Sequence, residues 1–272
     1  MEPTTAPIPA AGQPEFVPEL DIRAPLTQRR WTILIRLILL IPHFIWLGLL
    51  SIAMVVVLVI SWFAALILGQ LPAWSFQFLG GYLVYRTRIY AYFMLLLDAY
   101  PPFAWAAPEY PVQIWLRPDK LNRLAVLFRI ILVIPAAIVA DVTMAGWAVL
   151  SFFIWLIMLF MGRVPEPVFG ATAAALRYGF RTQAYFSMLS PAYPKRLFGD
   201  LGYLGQPQSS TRPLLLTSGA RTLLIVYIVL GALAELGNSA SAQQQQHNQP
   251  VYHASAVSSS YPGNLGNTVA GR

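Results

Sequence analysis

Trp31-Thr-Ile-Leu-Ile-Arg36-Leu-Ile-Leu-Leu-Ile41-Pro42-His43 opens an apolar run that reaches Gly69 with Arg36 as its single formal charge. As one helix, residues 31–69 would extend about 58 Å at ~1.5 Å per residue. The hydrocarbon core of a bilayer is only about 30 Å thick and asks for about 20 residues. Two readings fit this length. Either 44–68 crosses once after an interfacial helix, or 31–69 folds back as a tight helical hairpin with its tip near Gly48–Ser51.

The same stretch occurs twice. Shifting the chain by 93 residues lays 25–101 on 118–194 without a gap. Arg36-Leu-Ile-Leu-Leu-Ile41-Pro42 falls on Arg129-Ile-Ile-Leu-Val-Ile134-Pro135, and Trp62, Gly69 and Pro72 fall on Trp155, Gly162 and Pro165. Tyr85, Arg88 and Ala91-Tyr92-Phe93 fall on Tyr178, Arg181 and Ala184-Tyr185-Phe186. Apolar matches alone would say little, because membrane helices share Leu and Ile. Matching Arg, Trp, Gly, Pro and Tyr at one constant offset identifies a tandem duplication.

Composition agrees with a lipid environment. The 272 residues are 57% hydrophobic and 11% charged, against about a quarter charged in soluble domains. A surface so poor in charge is not covered by water alone. The net charge of +7 comes from Lys and Arg beside apolar runs, where they fix topology and meet anionic headgroups. It therefore argues for a membrane surface and not for nucleic acid. With no Cys, thiolate chemistry and Cys-ligated metal are excluded.

Charge placement favours the hairpin. Arg23, Arg29 and Arg30 precede the first run; Arg86, Arg88, Arg117, Lys120 and Arg123 separate the two; Arg163, Arg177, Arg181, Lys195, Arg196, Arg212 and Arg221 follow the second. Two crossings per repeat put all three groups on the cytoplasmic side. The second hairpin tip then falls near Asp141–Met144, where Asp141 meets water or headgroups or serves a proton relay. Segments 73–97 and 166–190 are rich in aromatics and arginine. Gln77, Gly81, Tyr85, Arg88 and Tyr92 share one helical face, which suits an amphipathic helix in the interface plane. Residues 219–237 form a last apolar span.

The expected fold is therefore an all-α polytopic membrane protein. Residues 1–24 form a disordered arm, and 25–103 and 118–194 are the repeats, each a hydrophobic hairpin plus an amphipathic interfacial helix. A C-terminal transmembrane segment occupies 211–237, and 238–272 are a disordered polar tail.

Candidate site residues follow from charge at depth. Arg36 and Arg129 lie inside apolar helices, where guanidinium groups snorkel, pair, or bind an anionic headgroup. Asp98 is a candidate partner in the first repeat. Arg88 and Arg181 form either a solvated basic face or an aromatic shelf that grips phospholipid headgroups. His43 follows Pro42 and bonds a group freed by the kink, or does acid–base work. No paired carboxylates, Ser–His–Asp set or nucleotide fingerprint occurs, and no cofactor or metal is expected.

The motifs Arg36-Leu-Ile-Leu-Leu-Ile-Pro-His43, Trp62-Phe-Ala-Ala-Leu-Ile-Leu-Gly69 with Pro72, and Asp98-Ala-Tyr-Pro-Pro-Phe103 resemble those of a bacterial membrane-protein family, common in actinobacteria, catalogued only as a domain of unknown function. The resemblance implies the repeat architecture and a C-terminal span; it supplies no activity. In the second copy Ala136 replaces His43 and Pro191 replaces Asp98. The expected role is a non-enzymatic accessory or scaffolding protein of the inner membrane, contacting anionic lipids or a membrane-protein partner. The alternative is a transporter of lipid or small hydrophobic molecules.

Overall fold

A computed structural model describes residues 16–23, 27–200, 209 and 211–247. Its elements run β1 (Glu19–Ile22), α1 (Arg30–Leu68), α2 (Ala73–Phe93), β2 (Val112–Trp115), α3 (Arg123–Leu127), α4 (Arg129–Met161), α5 (Glu166–Phe186) and α6 (Ser218–His247). The chain divides into a unit ending at Leu236 and a second one from Gly237. The described residues of the second, 237–247, are the last turns of α6.

The apolar run does not fold back on itself. α1 is one helix of 39 residues that passes straight through Gly48–Ser51, and α4 passes through Asp141–Met144 in the same way. The hairpin expected inside each run is therefore corrected. A lone Gly48 does not stop a helix when every neighbour continues the 3.6-residue pattern, and Pro42 kinks a helix without reversing it. The reversal comes later. Gly69 adopts φ 71° and caps α1 by donating to Ala65 O, while Pro72 opens α2; Gly162 (φ 65°) and Pro165 repeat this between α4 and α5. A left-handed C-cap glycine followed by proline is a strong helix stop. The hairpins of this fold are α1–α2 and α4–α5.

Contacts between the repeats also come in pairs 93 residues apart. Gln28 N donates to Gly162 O (2.9 Å) and Leu121 N to Gly69 O (2.8 Å). Trp155 Nε1 donates to Ile33 O (3.1 Å) and Trp62 Nε1 to Val126 O (3.0 Å). The start of each long helix thus lies at the end of the other, so α1 and the α3–α4 pair run antiparallel. The repeats are related by a pseudo-twofold axis perpendicular to these helices. Gly48 and Asp141 lie near the middle of that pairing, midway between Ile33 and Trp62 and between Val126 and Trp155.

α1, α4 and α6 are long and apolar enough to cross a membrane. Each buries one stripe: Ile33, Arg36, Leu40, His43, Leu47, Met54, Ser61 and Ala65 on α1. The rest of the α1 surface is exposed and apolar, including Ile38, Ile45, Ile52 and Ile67. α6 seats on α4 through small residues, where a Cβ on Gly146 would collide with the Tyr227 carbonyl and one on Gly231 with that of Val142. Close small-residue packing of this kind is how apolar helices associate without a hydrophobic drive.

α2 and α5 are not surface helices. Tyr85, Arg88 and Tyr92, expected on a wet face, are buried, and α5 is buried almost throughout 170–185. For α2 the reason is the connection after it, which lies back over that face and places the Trp105 ring against Gly81; α5 is covered by α4, α2 and β1. The fold also departs from purely helical: β1 pairs antiparallel with β2, Glu19 opposite Trp115. Residues 19–22 were expected in a disordered arm. They are held because Asp21 accepts from the hydroxyls of Ser209 and Thr211 (2.7 Å to Thr211) and Glu19 pairs with Arg212 (2.8 Å). At the other end α6 runs on through 238–247, which were expected to be disordered; Gln and Ala are good helix formers and extend a helix already nucleated. Residues 1–15, 24 and 248–272 of the expected arm and tail lie outside the described residues.

Candidate functional site

The six residues singled out by sequence turn out to be internal ties. Arg36 is 2% exposed. It donates to Tyr92 O (2.7 Å) and Gln28 Oε1 (3.1 Å), stacks 4.2 Å above the Tyr92 ring, and comes to 4.0 Å from Asp98. Asp98 also pairs with Arg29 (3.4 Å) and accepts from the Thr32 hydroxyl. A guanidinium joined in this way to carbonyl, amide, carboxylate and ring fastens the N-terminal half of α1 to the end of α2.

Arg129 repeats half of that arrangement. It stacks 4.2 Å above Tyr185 and donates to Ser190 O at 2.9 Å. The positions of Gln28, Thr32 and Asp98 are taken by Leu121, Ala125 and Pro191. Its Nε and Nη1 are buried without a partner among the described residues.

Arg88 and Arg181 are likewise buried. Arg88 donates to Ala104 O and Trp105 O, both at 3.1 Å. Arg181 donates to Pro18 O (3.1 Å) and Lys195 O (3.2 Å), tying α5 to the N-terminal strand. Burial, then the neighbouring Arg177 guanidinium, bring the Arg181 pKa down to about 10. Burial lowers Arg88 too, opposed by Tyr110. Neither forms the basic shelf that the face pattern suggested, because irregular backbone, not water, satisfies them.

His43 is fully buried in an aromatic cluster: Nδ1 is 2.7 Å from Tyr85 Oη, Phe103 stacks on the ring at 3.8 Å, and Tyr100 lies edge-on at 4.9 Å. Asp98 and His43 are thus held by separate sets of neighbours, and the two do not meet as an acid–base pair among the described residues.

The open chemistry lies elsewhere. A cavity of about 480 Å³ opens between α2, α4 and α5, lined by Arg86, Tyr90, Ala137, Asp141, Gln183 and Phe186 among others. Arg86 and Tyr90 meet here with Gly179 and Gln183, their own counterparts in the duplication, so the cavity lies where the repeats meet. Arg86 lies over the Tyr90 ring (4.6 Å) and has no carboxylate within ion-pair distance among the described residues. Asp141 is exposed at the mouth. The cavity exists because the second copy is hollow. Ala137 and Ala140 stand where the first has Phe44 and Leu47, and Phe44 packs edge-on against Phe93 (5.9 Å). A second, more apolar crevice of about 400 Å³ separates α1 from α4 and includes Arg36 and Trp147.

Sequence reasoning missed Arg86 because it ranked charges by recurrence, and Gly179 replaces Arg86 in the second copy. Asp141 was seen, but as a hairpin-tip residue.

No curated protein and no solved structure matches the chain. A family model described as a domain of unknown function (DUF4389) matches twice, over residues 30–104 and 123–197. The two matches are offset by the 93 residues of the duplication and together cover more than half of the sequence, so the chain belongs to the DUF4389 family and carries its domain in tandem.

Proposed function

We propose that this chain is a non-enzymatic, multi-pass protein of the cell inner membrane, an accessory or scaffolding component that contacts anionic lipid and a membrane partner. One observation carries the reading. The exposed faces of α1, α4 and α6 are apolar, while exposed cations (Arg29, Arg30, Arg117, Lys120, Arg123, Arg163 and Arg221) gather at the helix ends and their connections. Apolar flanks dissolve in acyl chains, and a cationic rim meets phosphate. Arg36, Arg88, Arg129 and Arg181 are committed to internal ties, so anionic lipid around the protein meets this rim.

The test is purification in a mild non-ionic detergent with identification of the lipids and proteins that stay bound. Enrichment of anionic lipid, lost when the rim cations are changed to Gln, supports the reading. A bare monomer indifferent to anionic lipid overturns it.

A second reading, a transporter of lipid or a small hydrophobic molecule, is favoured by the antiparallel repeats around a shared cavity. Inverted repeats with a substrate site at their interface are a recurring plan for transporters. Flux across reconstituted vesicles separates it from the first.

A further inference from the structure

We propose that the cavity between α2, α4 and α5 binds the headgroup of a zwitterionic phospholipid, its phosphate on Arg86 and its primary ammonium on Asp141. The inference rests on membrane residence but not on the accessory or transporter role.

Two charges at this cavity lack an ion-pair partner among the described residues. Asp141 lies midway along an apolar helix of 33 residues, flanked by exposed Ile134, Ile138 and Val139. Arg86 is half-buried on the facing helix. Both line one cavity, yet they form no ion pair. Charges at such a place are costly unless compensated. A ligand with one negative and one positive end satisfies both.

The remaining polar groups narrow the ligand. The hydroxyls of Thr87 and Thr182 donate back to Leu83 O (2.7 Å) and Tyr178 O (3.0 Å) of their own helices. Gln183 Nε2 donates to Ser187 Oγ (3.2 Å), which turns its Oε1 to other use. Donors for a phosphate are therefore Arg86 and the Tyr90 hydroxyl, and acceptors for an ammonium are Asp141 and Gln183 Oε1. A quaternary ammonium is disfavoured, since it has no N–H to give and the near aromatic face, Tyr90, is taken by Arg86. The volume of about 480 Å³ falls within the ~300–1,000 Å³ of small-ligand sites. The open side carries apolar α4 residues, along which acyl chains run out.

The site draws on both repeats but forms only once, because its α4 wall differs from the equivalent face of α1. Asp141 and Ala137 replace Gly48 and Phe44 of the first repeat, so one substitution, Ala137→Phe, restores the filled state without touching a charge.

The experiment is native mass spectrometry of the full chain in detergent supplied with phosphatidylethanolamine, phosphatidylcholine or phosphatidylglycerol. Soluble phosphoethanolamine serves as competitor. The wild type retains phosphatidylethanolamine above the other two. Arg86→Leu and Ala137→Phe each lower its occupancy by about tenfold or more, the loss of roughly one charge-assisted contact. Arg86→Lys keeps most of it, and Asp141→Asn abolishes the preference over phosphatidylglycerol. Unfolding midpoints near wild type for Ala137→Phe separate a blocked site from a misfolded chain. Equal occupancy by all three lipids overturns the proposal, as does an unchanged profile in Ala137→Phe. Efficient competition by soluble phosphoethanolamine overturns the lipid as the source of the headgroup. Loss of headgroup discrimination in a chain that still resists carbonate extraction sinks this site alone; release by carbonate sinks the membrane reading beneath it.

Discussion

The two copies of one unit keep the same backbone and treat the same buried arginine differently. In the first, Arg36 meets Tyr92, Gln28 and Asp98. In the second, Arg129 keeps the ring and a carbonyl and has lost the amide and the carboxylate. The first copy fills its inner face with Phe44, whereas the second leaves a cavity. The second in turn gains α6 against Gly146, while the equivalent Ala53 stays exposed on α1. One copy fills this face, and the other has exchanged packing for a cavity and a partner helix.

Removing the guanidinium is the strongest way to break this comparison. Arg36→Met leaves the buried Tyr92 carbonyl and the Gln28 amide oxygen without their donor and leaves Asp98 with Arg29 and Thr32 alone, and should destabilise by about 3 kcal/mol. Arg129→Met gives up one hydrogen bond and a ring contact, about 1 kcal/mol. Unfolding midpoints in detergent measure both, and equal shifts would show that the repeats use their arginines alike. The α6 contact comes next. Gly146→Leu has no room against the Tyr227 backbone and should cost about 2 kcal/mol by overpacking. Ala53→Leu, at the matching exposed position, should stay within about 0.5 kcal/mol of wild type.

The duplication shows why part of this fold was legible and part was not. Recurring residues gave the repeat, its 93-residue offset and the apolar helices, because burial and helix stops leave the same marks in both copies. Gly69-Pro72 and Gly162-Pro165 were in plain view as turn signals. They end both runs in the sequence as in the structure. The further hairpin expected inside each run came from the length of α1, which exceeds one bilayer crossing, and from the charge rule, which favours an even number. The fates of Arg88 and Arg181 were hidden for another reason. A face pattern records which side chains point together, and carries no sign of whether water or a returning backbone segment meets them. The cavity is written in absences, Ala for Phe and Gly for Arg, and a search for matches passes over what only one copy has.

The smallest of these effects separates the copies by acid. Arg177 of the second repeat pairs at 2.7 Å with Asp200, just beyond that repeat, and the first repeat has Val84 in the place of Arg177. Burial pushes the Asp200 carboxyl up, but Arg177 and the Leu214 N–H more than offset this, so it stays below its usual range. A carboxyl whose folded pKa is depressed adds stability above its unfolded pKa of about 3.9, and that stability is lost as pH falls through the folded value. Asp200→Asn should therefore be less stable than wild type by about 1–2 kcal/mol at pH 6, the worth of a hydrogen bond to a charged group. The two unfolding curves should converge as pH falls below the unfolded value and on through the lower folded one. A gap that stays constant with pH would mean that Asp200 acts through its shape and not its charge.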